Sequence, residues 1–437
     1  MKTRTRYLFI GLGAVFFLVA APLTVFYVGG IRYDFKGKNY AQTGILSVVS
    51  DPKKANITMD GKAAGTTPAN FRFLAPKEYA VSLAKDGYWD WSKRLDVKAG
   101  LATIASGGLD KIYLLKKGTT PQTIADGVTG YYYGNSGLVY LTADSVKSAR
   151  ADDNAVSHSL NFPDSGAQID RLVPSPGGSY FLLTGPKNTY LLNANSWAPL
   201  VDISRSVAAG KLTALAVADT GEVLGLRGDT LVKVTAAQNQ TLVNHASSFA
   251  VLGTNLYYIQ SSGKQNQLAV IPLNQAGRPG AEPQVLIENI PGSLAQSRLL
   301  VTEQKDVLLL AGNSLYKINA QPDLVSDAVR QVYFDQAAPS LLYTTDSELY
   351  WYDFLASKSH LITRSTQAVA DPQISFAIGY AFYFQNGGLQ AMELDDTDHQ
   401  NNYHLLDAAQ GSSLRLDKDA KNIYFLDGGK LETLNVR

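Results

Sequence analysis

The pattern of hydrophobic and polar positions divides the chain into three parts. Residues 7–31 are almost entirely apolar and carry no charge. Residues 44–117 alternate between apolar and polar positions with the period of two that is typical of half-buried strands. From residue 121 onward, one short apolar strand followed by a turn recurs along the chain. The pattern predicts one apolar helix followed by two β domains, which is a mainly β fold class.

The N-terminal apolar segment is long enough to span a bilayer, since about 20 apolar residues cross the hydrocarbon core. A cleaved signal peptide with its cleavage site near Ala21 is the alternative, but the apolar run continues to Val28. We predict an uncleaved single-pass transmembrane helix over residues 7–31. Three basic residues and the free amine precede it, which favours a cytoplasmic tail at residues 1–6 and an extracellular or periplasmic location for the rest.

The alternating segment is typical of a small β-sandwich. Tyr79, Val81 and Leu83 occupy every second position, so their side chains face the same side of a strand. Prolines and glycines interrupt the alternation at short intervals, as they do between strands. We predict a sandwich over residues 44–117 and a linker over residues 32–43.

The turns of this segment resemble those of the PEGA domain. Four turn motifs occur in the family's order: Asp60-Gly61, Gly65-Thr66-Thr67-Pro68, Pro76 with Tyr79, and Gly87-Tyr88. The motif that names the family differs here, because Pro52-Lys53-Lys54-Ala55 has two lysines in place of Glu-Gly. The resemblance implies a small module of bacterial and archaeal surface proteins, often beside a membrane segment. We expect it to act as a stalk and to bind cell-surface polymer.

The rest of the chain repeats with a mean spacing of about 41 residues between apolar strands, beginning with those at Leu138, Tyr180 and Val223. A period of about 40 to 45 residues with short strands is typical of a β-propeller with one four-stranded blade per repeat. We predict a propeller of eight blades over residues 121–437. Seven blades are the alternative, because the first repeat is the least regular. The propeller resembles WD-like bacterial propellers in its period alone.

The ends of the repeat region predict how the ring closes. The last repeat has no outer strand, whereas residues 121–126 have the outer-strand pattern and precede the first blade. We expect this N-terminal strand to complete the C-terminal blade, because a paired edge is protected from association with other chains.

Composition narrows the range of possible chemistry and partners. The chain has no cysteine, which excludes disulfides, thiolate metal sites and a lipid anchor on cysteine. Its net charge of +1 combines +10 over residues 1–118 with −9 over the remainder. A basic segment is attracted to an anionic membrane surface, and an acidic propeller argues against nucleic acid as a partner.

The sequence offers few candidate catalytic or metal-binding residues. The five histidines are scattered over the repeats, without the spacing of a zinc site. Residues 393–402 contain three aspartates, but the glycine that bends a calcium-binding loop is missing. Motifs of serine hydrolases and of nucleotide hydrolases are absent from the sequence. We therefore predict no enzyme activity, no catalytic residue, no metal site and no cofactor.

An aromatic stretch at the end of the sandwich is the one candidate binding site. It contains Tyr88, Trp89 and Trp91, and the two tryptophans share a strand face if the strand is regular. Paired aromatic side chains can stack on sugar rings, and packing within the sandwich or between domains is the alternative.

Together these features predict a non-catalytic cell-envelope protein that a single helix anchors in the membrane. A PEGA-like stalk would display a propeller that binds a protein, a peptide or a cell-surface glycan. Two alternatives remain open. The propeller could be an enzyme that acts on envelope polysaccharide at the channel mouth, or the protein could be a purely structural scaffold.

Overall fold

The structure is a computed structural model of a mainly β chain. The residues that it describes are 3–28, 30–34, 39–134, 137–150, 155–262, 265–278, 281–290, 297–319, 321–334 and 340–437.

The N-terminal helix α1 (Thr3–Val28) is followed by a hairpin of strands β1 (Ile31–Asp34) and β2 (Asn39–Gln42). Its stretch Ile10–Tyr27 is apolar and long enough to cross a membrane, and none of this stretch is buried against the protein. The helix begins earlier than the sequence predicts, since residues 3–6, which were expected to form the tail, are already helical. The hairpin lies where a linker is expected. Residues 1–2 of the tail and 35–38 of the linker lie outside the described residues.

The predicted sandwich is present. Its strands are β3 (Gly44–Val48), β4 (Ser50–Asp51), β5 (Asn56–Met59), β6 (Lys62–Thr66), β7 (Ala69–Leu74), β8 (Lys77–Ala84), β9 (Trp91–Val97), β10 (Ala102–Ile104) and β11 (Ile112–Tyr113). One sheet has the order β10-β3-β7, a second has the order β6-β5-β8-β9, and β11 pairs in parallel with β4. Asp60 and Gly61 join β5 to β6 with φ of 49° and 76°, as a type I′ turn requires. Buried side chains such as Leu46, Val81 and Leu83 fill the space between the sheets.

Eight four-stranded sheets form the blades of the propeller. Blade 1 consists of β13 (Val128–Gly134), β14 (Gly137–Thr142), β15 (Ser145–Ala149) and β16 (Val156–Asn161), and blade 2 of β17 (Arg171–Pro174), β18 (Tyr180–Thr184), β19 (Thr189–Asn193) and β20 (Val201–Asp202). Blade 3 consists of β21 (Thr213–Val217), β22 (Val223–Arg227), β23 (Thr230–Val234) and β24 (Asn239–Asn244). Blade 4 consists of β25 (Ala246–Leu252), β26 (Asn255–Ser262), β27 (Gln265–Pro272) and β28 (Gln284–Ile287). A short helix, α2 (Ser204–Gly210), connects blades 2 and 3.

The remaining four blades complete the ring. Blade 5 consists of β29 (Arg298–Val301), β30 (Val307–Ala311), β31 (Ser314–Ile318) and β32 (Pro322–Ser326), and blade 6 of β33 (Gln331–Tyr333), β34 (Ser340–Thr344), β35 (Glu348–Asp353) and β36 (Lys358–Arg364). Blade 7 consists of β37 (Ala370–Ser375), β38 (Tyr380–Gln385), β39 (Gly388–Glu393) and β40 (Asn402–Asp407). Blade 8 consists of β41 (Ser412–Leu416), β42 (Asn422–Asp427), β43 (Lys430–Asn435) and the N-terminal β12 (Gln122–Asp126).

The ring closes as the repeat pattern predicts. Strand β12 pairs antiparallel with β43, so the first propeller strand in the chain is the outer strand of blade 8. The first repeat is a complete blade despite its irregular sequence, and the described residues therefore form eight blades and not seven.

Apolar side chains hold neighbouring blades together. Each of eight buried clusters is shared by two adjacent blades, for example Leu141 of blade 1 with Phe181 of blade 2. The second strand of a blade is covered on both faces, and in β38 the first five of six residues are buried. Double coverage explains why the second strand is the continuous apolar run that recurs in the sequence.

The two ends of the propeller differ in the connections that they carry. First strands of neighbouring blades contact one another and so surround the central channel. One end carries the connections from first to second and from third to fourth strands, and we call it the lower face. The upper face carries the connections from second to third strands and those between successive blades.

Candidate functional site

The aromatic residues that the sequence singles out lie at the contact between the sandwich and the propeller. Trp91 begins β9 and has no exposed surface, and its indole Nε1–H donates to Glu393 Oε1 of blade 7 over 2.9 Å. These two residues are 302 positions apart. A fully enclosed indole cannot stack on a sugar, so the sugar-stacking prediction is wrong for Trp91. Trp91 instead packs between the two domains, which is the alternative that the sequence left open.

Trp89 and Tyr88 lie just before β9 and are half-buried. The Trp89 ring stacks on Tyr403 of blade 7 with ring centroids 5.6 Å apart, and the Lys117 ammonium lies 4.9 Å from the centroid of the Trp89 ring. Tyr88 forms an isolated bridge with Lys116. Because β9 starts at Trp91, the two tryptophans do not form one strand face. Ligand binding by Tyr88 and Trp89 stays a prediction, while their observed contacts are packing contacts.

A buried lysine forms the centre of this contact. The Lys93 side chain is fully buried, and its Nζ lies 2.9 Å from Asp395 Oδ2, 3.5 Å from Glu393 Oε2 and 2.6 Å from the Asp395 carbonyl oxygen. Asn401 donates to the same Glu393 Oε2 over 2.6 Å. A charge that is removed from water is tolerated only when it is paired and hydrogen-bonded, and both conditions are met here.

The hydrogen bonds around Lys93 also affect the pKa of Asp395. Burial alone would raise the pKa of its carboxyl group, but the hydrogen bonds from Lys93 and Thr397 outweigh burial and hold the pKa below 3.8. Asp395 is therefore a carboxylate at neutral pH and carries the charge that Lys93 needs.

The acidic segment at residues 393–402 is the part of the propeller that receives the sandwich. Besides Glu393 and Asp395, Asp398 Oδ2 accepts from the Arg94 backbone N–H over 2.9 Å. Asn401 Nδ2 donates to the Ser92 carbonyl oxygen over 3.3 Å. The sequence predicts no metal site in this segment, and Glu393, Asp395 and Asp398 contact residues of β9. Among the described residues, no group of three or more possible ligands is arranged to hold a metal ion.

A second contact joins the sandwich to the C-terminal end of the chain. The Arg437 guanidinium donates to Asp51 Oδ2 over 3.1 Å and lies 4.5 Å from the centroid of the Tyr113 ring. The backbone N–H of Lys116 donates to the Val436 carbonyl oxygen over 2.9 Å. Together with the β9 contact, this link fixes the sandwich on the lower face at blades 7 and 8.

A small cleft lies between the two domains. It has a volume of about 200 Å³ and is lined mainly by apolar groups, including Leu109 and Ile112 of the sandwich and Ile378 and Tyr380 of blade 7. Ligand pockets usually measure about 300 to 1,000 Å³, so this cleft is below the size that encloses an ordinary small-molecule ligand.

The histidines do not come together in space as a catalytic group. Three of them each contact one neighbouring aspartate at an exposed position, namely His245 with Asp229, His399 with Asp398 and His404 with Asp407. The other two stack on tryptophan rings, namely His158 on Trp197 and His360 on Trp351.

The sandwich has a recognisable family. Residues 43–112 match the PEGA domain family. The motifs Asp60-Gly61 and Gly87-Tyr88 lie within the matched residues, as the resemblance predicts. The PEGA domain makes up the sandwich, and the match does not extend into the propeller. No curated protein matches the sequence of the whole chain.

Solved structures resemble the chain in its propeller fold. A crystal structure of the eukaryotic initiation factor is 10% identical, with 83% of this chain and 94% of that chain covered and a TM-score of 0.48. The β-propeller domain of Myceliophteria thermophila Cps50 (Swd1) is 11% identical, with 73% and 100% covered and a TM-score of 0.43. Virginiamycin B lyase from Staphylococcus aureus is 9% identical, with 73% and 99% covered and a TM-score of 0.41. These similarities concern the fold alone.

Proposed function

We propose that this chain is a non-catalytic envelope protein, anchored by α1, in which the PEGA domain carries the propeller as a rigid stalk. The N-terminus lies in the cytoplasm and the propeller lies outside, where its upper face binds an envelope protein, peptide or glycan. The observation that carries the proposal is the Lys93–Glu393–Asp395 contact. It fixes the PEGA domain to the lower face, and for this reason we assign the partner to the upper face.

Contacts between α1 and the PEGA domain support the membrane-proximal position of the stalk. The Arg32 guanidinium lies 4.3 Å from the Tyr27 ring centroid and 4.1 Å from the Phe73 ring centroid. A cation between two aromatic faces is held by attraction to both rings. This contact ties the end of α1 to strand β7 and keeps the domain close to the point where the helix would leave the bilayer.

The outward face of the β10-β3-β7 sheet supports the same placement. Ile45, Leu101 and Ile104 are exposed on or beside β3 and β10, close to strand β7 that carries Phe73. Exposed apolar side chains that lie together mark surfaces that meet another apolar phase or a partner. Next to a membrane helix, and within a part of the chain that carries net charge +10, the bilayer interface is the partner that fits.

The contacts of the acidic residues in blade 7 support a non-catalytic role. Paired carboxylates are the groups from which a polysaccharide-acting enzyme builds its acid and base. In blade 7, Glu393 and Asp395 are committed to Lys93, and Asp398 accepts from the backbone of Arg94. Glu393 and Asp395 line the small cleft between the domains, but both are paired with Lys93 and so hold the domains together.

Protease treatment of intact cells tests the location. The full chain carries a C-terminal tag, and a protease that does not cross membranes is added before and after removal of the outer layers. We expect the tag to be lost while a cytosolic control protein survives. A tag that is protected until the cytoplasmic membrane is lysed would contradict the proposal.

The mass of the membrane-bound protein separates the anchor from a signal peptide. An uncleaved protein keeps its apolar segment, so its intact mass includes residues 7–31. Cleavage near Ala21 would remove the apolar segment and release the protein in soluble form, and this result would overturn the anchored stalk.

A further inference from the structure

A polar pocket lies on the lower face, where the segment that links the PEGA domain to the propeller passes blade 8. It has a volume of about 360 Å³, within the range of about 300 to 1,000 Å³ that is usual for ligand pockets. One wall belongs to the linking segment, at Lys116 and residues 118–120, and the other wall belongs to blade 8. Unlike the apolar cleft at blade 7, this pocket is large enough for a small-molecule ligand.

Strand register places the polar side chains of blade 8 on one face of its sheet. Thr433 and Asn435 are two positions apart on β43, so their side chains point to the same face. Gln122 of β12 is directly opposite Thr433, and Asn422 of β42 is directly opposite Asn435. Residues that are directly opposite in antiparallel strands share a face. The four side chains thus form a continuous polar wall at the lower end of the blade.

Hydrogen bonds hold one half of the pocket in a fixed arrangement. The Lys116 ammonium donates to Asn435 Oδ1, and Asn435 Nδ2 donates to Asn422 Oδ1 over 2.8 Å. Asn422 Nδ2 donates in turn to Asp417 Oδ2 over 2.8 Å. Polar groups that are already positioned in the free protein bind a ligand at a lower entropic cost.

The other half of the pocket carries polar side chains without partners. Those of Thr119, Thr120, Gln122 and Thr433 form no hydrogen bond with another described residue. Thr433 is only 9% exposed, and a polar group that is nearly buried normally has a hydrogen-bond partner. Because Thr433 lines the pocket, a ligand bound there can supply that partner.

We propose that this pocket is a binding site for a saccharide. Hydroxyl and carboxamide groups both donate and accept hydrogen bonds, and so do the hydroxyl groups of a sugar. Lys116 is the single charged side chain in the lining and already donates to Asn435, so the pocket is better matched to a hydroxyl-rich ligand than to an anion. The site lies on the lower face and is separate from the partner surface that the proposed function assigns to the upper face.

A free sugar and one unit of a polysaccharide share this chemistry, and titration of the purified full chain distinguishes them. The protein is kept in a detergent without a sugar headgroup, and binding is measured by calorimetry and saturation-transfer NMR. The probes are glucose, maltotriose, N-acetylglucosamine and chitotriose. We expect saturable binding of at least one of them. Binding of a trimer at least tenfold tighter than that of its monomer assigns the site to a polysaccharide, and equal binding assigns it to a free sugar.

Substitutions identify the residues that hold the sugar. Thr433→Val keeps the shape of a nearly buried side chain and removes its hydroxyl group. Gln122→Met keeps the length of an exposed side chain and removes its amide. Each is expected to weaken sugar binding by about two- to tenfold, which is the loss expected for one hydrogen bond, and the double variant is expected to lose more than either.

Each substitution has a matched control on the same kind of strand. Thr123→Val is the control for Thr433→Val, because Thr123 follows Gln122 on β12 and faces the other side of the sheet. Gln240→Met is the control for Gln122→Met, because Gln240 is an exposed residue of the outer strand β24 in blade 3. We expect both controls to bind sugar as the parent protein does.

The outcomes distinguish a saccharide site from a pocket that holds only water. Thermal unfolding establishes that each variant folds. Absence of saturable binding of all four sugars, or parent-like binding by the Thr433→Val/Gln122→Met double variant, would overturn the site. Neither result would affect the location measured by protease treatment, and a contradicted location would leave sugar binding by the purified protein intact.

Discussion

Two ion-paired cations in this protein have opposite surroundings. At the lower face, Lys93 is fully buried and lies within 3.5 Å of carboxylate oxygens from both Glu393 and Asp395. In blade 6, Arg330 Nε lies 2.5 Å from Asp346 Oδ1, and both side chains are more than half exposed to solvent. The first cation joins two domains, and the second lies on the surface of one blade.

The difference follows from what each cation costs the folded chain. A charge that leaves water without a partner costs several kcal/mol, so a permanent buried contact needs its counter-charge within the protein. A pair of exposed charges stays hydrated and is screened by salt, so it contributes little to stability. The lower face thus has the chemistry of a fixed joint, whereas the Arg330–Asp346 pair has the chemistry of a surface contact. The following substitutions test this contrast, from the largest expected effect to the smallest.

Removal of the lower-face cation should have the largest effect. In Lys93→Met the two carboxylates of Glu393 and Asp395 remain without their cation, and we expect a loss of about 3–5 kcal/mol in the free energy of unfolding. Denaturant unfolding of the purified full chain measures this loss, and limited proteolysis reports whether the PEGA domain has separated from the propeller.

Lys98→Met is the matched control for this experiment. Lys98 follows the same strand but is exposed, and we expect its substitution to leave the unfolding free energy within about 0.5 kcal/mol of the parent value. Equal stability of the Lys93→Met variant would mean that the joint does not depend on the ion pairs.

Acid should weaken the same joint. The pKa of Asp395 is lower in the folded protein than its ordinary value of 3.8, so its carboxylate stabilises the fold fully above pH 3.8. This contribution is lost as the pH falls through the lowered folded pKa, because the unfolded chain binds the proton more tightly. We expect unfolding temperatures to fall in this range, and Asp395→Asn to reduce the neutral-pH stability by about 1.5–3 kcal/mol and to flatten the acid limb.

Asp346→Asn provides the comparison for the acid experiment. The pKa of Asp346 is lowered by its hydrogen bond and charge interaction with Arg330, but both side chains are exposed. We expect this variant to keep the acid dependence of the parent protein. A parent-like acid limb in Asp395→Asn would instead assign the acid sensitivity to other carboxylates.

Loss of the aromatic contact at the joint should have a smaller effect. Trp89→Leu keeps part of the apolar volume but removes the stacking on Tyr403, which contributes about 0.5–1.5 kcal/mol beyond the buried area. Thermal unfolding measures this change. Titration with soluble wall glycan on the same variant tests the remaining prediction for Tyr88 and Trp89, since reduced glycan binding at unchanged stability would support a ligand site.

Removal of the exposed cation should have the smallest effect. In Arg330→Gln the Asp346 carboxylate loses its partner but stays in water, so we expect an unfolding temperature close to that of the parent protein. Thermal unfolding in parallel with Lys93→Met measures the contrast. Equal losses of stability in the two variants would show that burial does not decide what an ion pair contributes in this protein.

The propeller could be predicted from local patterns because every blade buries its second strand in the same way. The second strand of every blade is covered by two neighbours, which requires a continuous apolar run, and such runs recur every 41 residues or so. The closing strand β12 was predictable for the same reason, since its pattern is that of an outer strand without a blade of its own. The hairpin β1–β2 was missed because its short strands lack a clear alternation.

The contact between the two domains left one signal in the sequence, in strand β9. Strand β9 alternates strictly, with Trp91, Leu95 and Val97 in the buried phase, and Lys93 lies in that same phase. A lysine among inward-facing apolar residues indicates a buried partner. The aromatic residues and the acidic segment are far apart in the sequence, which therefore left open whether Trp91 binds a sugar or packs between domains, and did not link Trp91 to that segment.

The sequence by itself determined the apolar helix, the PEGA domain and the eight-bladed ring, because periodicity and turn chemistry are local properties of the chain. Only the tertiary structure decided which distant residues meet. It brings Lys93 to carboxylates about 300 positions away. This pairing depends on how the ring closes and on which face receives the PEGA domain, and neither depends on a pattern within a single strand.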